Sequence, residues 1–154
     1  MTDDPEYLSS ATLMILGDDL VPEEVSRALA LNPDQSWVAD EKRGWGGWKL
    51  FIHPEGKNLP LEEQLAFWCR TLAERKTSIV ELKEKGYMCA LDLFVITATT
   101  ASIILSSELQ RQLAELGLEL RVSIALHHEG EQTRCNKPGG DALVDNQRSA
   151  APGC

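Results

Sequence analysis

Residues 60–86, PLEEQLAFWCRTLAERKTSIVELKEKG, constrain the fold more than any other stretch of the chain. Leu61, Leu65, Trp68, Leu72, Ile79 and Leu82 recur at steps of three, four or seven. On a helix that spacing places them in one apolar stripe, with the charged residues mostly turned to water. Pro60 suits a first helical turn, where its missing N–H is no loss. Glu62 and Glu63 complement the positive N-terminal end of the helix dipole, and Lys83 and Lys85 the negative end. Gly86 is placed to take the left-handed turn that ends a helix. At about 1.5 Å per residue the expected rod is roughly 40 Å long, enough to cross a small domain. A rod with one apolar stripe needs a partner layer, so the rest of the chain is read for what could supply it.

Ahead of the rod, residues 1–9 read as a polar lead-in, and residues 11–16 (ATLMIL) as a short buried strand ended by Gly17. Pro22, Glu23 and Glu24 then introduce Val25, Ala28, Leu29 and Leu31 at helical spacing. That order marks a helix start, although Val21 is a poor N-cap and an aspartate is expected to cap from further back. Asn32, Pro33 and Asp34 are expected to stop this helix. Residues 36–53 look like a hairpin, its second arm (WKLFIH) alternating as a half-buried strand does. Beyond Gly86, residues 87–98 read as a long strand and 102–105 as a short one. Ser106 or Ser107 caps a helix carrying Leu109, Leu113 and Leu116, which Gly117 ends. In residues 118–126, Leu118, Leu120, Val122, Ile124 and Leu126 alternate strictly onto one face of a last strand.

The expected order is β-α-β-β-α-β-β-α-β. It predicts an α+β fold: one mixed, largely antiparallel sheet with helices packed on one face. Its first six elements match a ferredoxin-like unit. The 154 residues form a single domain by length, placed at residues 10–127. Residues 128–154, rich in Gly, Pro, Asn, Asp and Gln, offer too little apolar surface to offset their ordering entropy and are expected to be disordered.

Composition narrows the function class. The apolar fraction of 43% and charged fraction of 25% suit a soluble globular protein. The net charge of −9 argues against a nucleic-acid partner, which needs clustered Lys and Arg. Residues 1–10 lack the basic start and apolar run of a signal peptide, and no apolar run is long enough to span a membrane. A cytoplasmic location is expected, with Cys69, Cys89, Cys135 and Cys154 as thiols.

Few residues suggest chemistry. Asp18 and Asp19, at a strand end, could form an acid–base or metal pair; they could equally serve the helix that follows. Of four tryptophans, Trp37, Trp45 and Trp48 lie in the hairpin beside Lys42, Arg43 and Lys49. They could wall an aromatic pocket, or Trp48 could join Trp68 in the core while Gly44, Gly46 and Gly47 make a tight turn. His53, His127 and His128 have no metal-ligand spacing, and no phosphate loop, nucleophile elbow or dinucleotide fingerprint occurs. No cofactor and no metal are expected.

Residues 11–126 resemble a bacterial family known as domain of unknown function 4279. The resemblance rests on ATLMILGDDLVPEEVSRALALNP, the GGWKL strand, the LEEQLAFW helix and LSSELQRQLAELGLELRVSIAL. It implies a small, free-standing bacterial cytosolic protein and carries over no catalytic residue. By analogy, some proteins of this kind act as immunity or accessory factors. The expectation is therefore a non-enzymatic binding module acting through protein contacts, with an acidic surface suited to a basic partner. The alternative is a small-molecule binder or enzyme using Asp18, Asp19 and the tryptophan hairpin.

Overall fold

A computed structural model describes residues 7–52 and 59–127. The segment expected to be disordered, residues 128–154, lies outside the described residues, as do His53, His128, Cys135 and Cys154.

The elements in chain order are β1 (Tyr7–Gly17), α1 (Pro22–Leu29), β2 (Gln35–Trp37), β3 (Gly46–Leu50), α2 (Leu61–Leu72), α3 (Lys76–Glu84), β4 (Met88–Thr97), α4 (Ser107–Leu116) and β5 (Glu119–Leu126). They build an α+β fold around one five-stranded sheet of order β2-β3-β1-β4-β5. Pairings β1–β3, β1–β4 and β2–β3 are antiparallel and β4–β5 is parallel. Strands β1 and β2 flank β3, which is the split arrangement of the ferredoxin-like unit; α4 and β5 extend it by one crossover.

The stripe Leu61, Leu65, Trp68, Leu72, Ile79 and Leu82 is buried along its whole length. It faces the side of the sheet that carries Ala11, Leu13 and Ile15 from β1 and Leu91, Leu93 and Val95 from β4. The rod is not one straight helix. Residues 73–75 tighten into a 3-10 turn between α2 and α3. The Arg75 guanidinium takes up the Thr71 carbonyl there, and its Nε donates to Leu29 O at the end of α1 at 2.6 Å. A basic side chain thus ties the break in the rod to the end of a neighbouring helix. Gly86, with φ of +89°, ends α3 as expected.

Three other expectations shift. β1 begins at Tyr7, inside the polar lead-in, because β4 is long enough to pair with it from Tyr7↔Thr97 onward. Helix α1 ends before Asn32: Ala30 takes a left-handed φ of 52° and Leu31 N donates to Ser26 O. Residues 102–105 are not a strand. They run extended beside α2, where Ile104 N donates to Glu62 Oε1 at 2.9 Å in place of a ladder partner. The alternation there reflects Ile103 and Leu105 touching the core while Ile104 points outward.

β1 outruns its neighbour. β3 stops at Leu50, opposite Leu13, so among the described residues no strand lies beside the Ser9 and Ala11 backbone on that side. Two α2 side chains, one turn apart, replace it. Gln64 Oε1 accepts from Ala11 N at 2.9 Å, and Trp68 Nε1 donates to Ala11 O at 2.9 Å. Gln64 Nε2 also donates to Ser9 O and Leu59 O. A buried peptide is costly unless bonded, so these contacts fix where the rod sits on the sheet.

Candidate functional site

Among the described residues the surface carries three features of chemical interest, the first at the hairpin. Gly47 pairs with Trp37 across β2–β3, and the Trp37 ring lies flat against it; a Cβ at Gly47 would come within 2.1 Å of the indole. That close approach explains why glycine occupies this position. Trp45 stands edge-on to Trp37 with ring centres 5.3 Å apart, and Trp37 Nε1 donates to Trp45 O. The Arg43 guanidinium lies 4.8 Å from the Trp37 ring centre and 5.6 Å from that of Trp45, and Lys49 Nζ is 5.8 Å from Trp37. Asp40 holds the loop by accepting from Lys42 N and Arg43 N. Such aromatic and cation–π contacts are worth about 0.5–1.5 kcal/mol each. Their evident effect is to clamp the loop between β2 and β3 onto the sheet.

Trp48 does not join this corner. It sits on the opposite face of β3, fully buried, with Nε1 donating to Ser26 Oγ on α1 at 3.0 Å. Asp18 and Asp19 are exposed in the turn after β1. Neither caps α1, whose N-cap Val21 has no side-chain hydrogen bond; Asp19 contributes only its carbonyl, which accepts from Tyr87 Oη at 3.4 Å. Of the candidates read from sequence, Trp37, Trp45 and Lys49 come together, while Asp18, Asp19 and Trp48 do not join them. Among the described residues no group of three or more His, Cys, Asp or Glu side chains could hold a metal ion.

The second feature is the outer edge of the sheet. Leu120, Val122, Ile124 and Leu126 share the helix-side face, in register with Leu91, Leu93, Val95 and Thr97 of β4. Their β4 neighbours are buried, yet Val122 is 52% exposed and Ile124 64%. Helix α4 packs on α2 and α3 and leaves β5 uncovered. The strand is also open along its backbone. His127 N donates to Thr97 O, so odd-numbered residues of β5 turn their peptide groups toward β4. Leu120, Val122, Ile124 and Leu126 therefore direct their N–H and C=O outward. The same residues carry both the exposed apolar surface and the edge that no strand pairs with among the described residues.

The third feature escaped the sequence reading. A cleft of about 250 Å³ between α2 and α4 is lined by Arg70, Ala73, Lys76, Arg111 and Glu115 above the buried Cys69 and Leu116. Lys76 Nζ lies 3.3 Å from Glu115 Oε2, and Arg111 pairs with both Glu108 and Glu115. The Arg111 hydrogen bond holds the Glu108 carboxyl below its usual range, and that from Lys76 does the same for Glu115. Burial raises the Cys69 thiol pKa, which keeps the cleft floor neutral. The lining residues come from helices some forty positions apart, so no local motif announces them.

Among the described residues, no helix is long and apolar enough to cross a membrane. No curated protein and no solved structure matches the chain. A protein-family model does match, over residues 6–127, from the residue before β1 to the residue after β5. With well over half of its length matched, the chain belongs to the family described as Domain of unknown function (DUF4279).

Proposed function

We propose that the protein is a cytoplasmic, non-enzymatic binding module that accepts an extended segment of a basic partner protein along β5. The carrying observation is that one set of residues, Leu120, Val122, Ile124 and Leu126, presents both exposed apolar side chains and outward peptide groups. Strand addition uses both at once: the ladder supplies affinity and alternate side chains supply specificity. Edge strands are usually guarded by proline, charged side chains or a bulge; β5 has no proline, its charges Glu119 and Arg121 lie at its N-terminal end, and its register with β4 is unbroken. Charge selects the occupant. Two copies at −9 each repel, whereas a basic partner is drawn in. In a bacterial cell such a module suits a regulatory or immunity-type accessory role.

The test uses a synthetic peptide of alternating lysine and valine, followed by fluorescence anisotropy. Binding should saturate, weaken as salt is raised, and be lost in Val122→Pro. That substitution removes an outward N–H without touching the β4 ladder, a placement that edge strands tolerate. Val122→Thr should retain binding. Equal binding by the proline variant overturns the proposal. Sedimentation showing a salt-insensitive dimer would instead assign the edge to a second copy.

A further inference from the structure

We infer that the cleft between α2 and α4 binds a small oxyanion, a carboxylate or phosphate group on a compact molecule. Arg70, Lys76 and Arg111 converge on it against one lining carboxylate, Glu115. Glu108, outside the lining, also pairs with Arg111, so three cations meet two carboxylates, a small local excess of positive charge on a chain whose net charge is −9. Lys76 and Arg111 are held in place by Glu115, whereas Arg70 has no ion pair among the described residues. The cleft thus offers one free guanidinium beside two cations already oriented toward a carboxylate. An arriving oxyanion can bond Arg70 in forked geometry and share Lys76 and Arg111 with Glu115.

The floor supports the same assignment. Cys69 and Leu116 are buried members of the core, so the base of the cleft is apolar and held by the packing of α2 against α4. Apolar walls with a few convergent polar groups are the usual make-up of a small-molecule site. At about 250 Å³ the space suits a ligand of metabolite size and excludes a folded partner. This inference is independent of the β5 edge.

The experiment titrates the full chain with inorganic phosphate and, separately, with benzoate, against sodium chloride at matched ionic strength. Backbone amide shifts are followed by nuclear magnetic resonance. Saturable shifts confined to residues 69–76 and 111–116 are expected with at least one probe. Response to phosphate alone points to a phosphate group, and response to benzoate alone to a carboxylate with an apolar body. Arg70→Gln should weaken binding roughly tenfold or more, the cost of one charge-assisted bond. Glu115→Gln should strengthen it several-fold by releasing Lys76 and leaving Arg111 held by Glu108 alone, a gain that misfolding cannot produce. Arg27→Gln, on α1, should change nothing. Shifts matching those of chloride for both probes, or unaltered binding in Arg70→Gln, overturn the inference.

Discussion

Replacing Gln64 with Met tests the account of how the rod is seated on the sheet. Methionine keeps the side-chain volume and the helical propensity, so packing is nearly conserved. What disappears is the bond accepted from Ala11 N at 2.9 Å, together with those donated to Ser9 O at 3.2 Å and Leu59 O at 2.8 Å. Gln64 is fully buried, so water cannot easily replace them. An orphaned buried group costs about 1–3 kcal/mol, and carbonyls that keep a second lone pair cost less, so we expect about 3–4 kcal/mol in all. That is a large share of a typical domain's 5–15 kcal/mol. Urea unfolding should show it as a lower midpoint at unchanged slope. Trp68→Phe, which removes the donor to Ala11 O and leaves part of the indole volume empty, should cost about 2–4 kcal/mol. Because both side chains bond the backbone of one residue, Ala11, the double variant should fall short of the sum by at least about 0.5 kcal/mol. A loss below about 1 kcal/mol for Gln64→Met would show that the Ala11 peptide finds other partners, and the reasoning would fail.

Ala30→Gly should stabilise the protein by roughly 0.5–1 kcal/mol, because Ala30 ends α1 at a left-handed φ of 52° that glycine adopts without strain; a lower melting temperature would refute this. Gly47→Ala should destabilise by about 1–3 kcal/mol and shift tryptophan fluorescence, since the new methyl meets the Trp37 ring; an unchanged emission spectrum would count against the clamp. Burial pushes the Cys89 thiol up to about 11, above the ordinary thiol value of 9.0. A raised folded pKa means its contribution is intact below pH 9 and is lost as pH climbs from about 9 through about 11, on the order of 1–2 kcal/mol. Stability curves of wild type and Cys89→Ala should therefore converge in that interval; parallel curves would refute the shift. Asp18→Asn and Asp19→Asn should each stay within about 0.5 kcal/mol by chemical unfolding, as neither side chain caps α1.

Local periodicity by itself indicated the buried stripe of α2 and α3, a cap for α4 at Ser106 or Ser107, the stop at Gly86, and strands at residues 11–16 and 118–126, which the structure refines to a Ser106 cap, Tyr7–Gly17 and Glu119–Leu126. These depend on spacing along one element, which is written in neighbouring residues. The meeting of Trp37, Trp45 and Lys49 was legible for the same reason, since a hairpin brings near neighbours together. Tertiary structure alone decided the rest. Residues 102–105 alternate as a strand does, but a strand needs a ladder partner, and among the described residues the side chains of Glu62 and Gln110 meet this backbone instead. The Leu120 to Leu126 alternation specified a face and not its cover; α4 settled on α2 and α3 and left β5 open. Gln64 reads as a polar interruption of an apolar stripe until β1 is seen to outrun β3. Arg70, Lys76, Arg111 and Glu115 became one cleft only when α4 packed beside α2. Position along the chain encodes which face a residue takes; which groups meet across faces follows from how the layers pack.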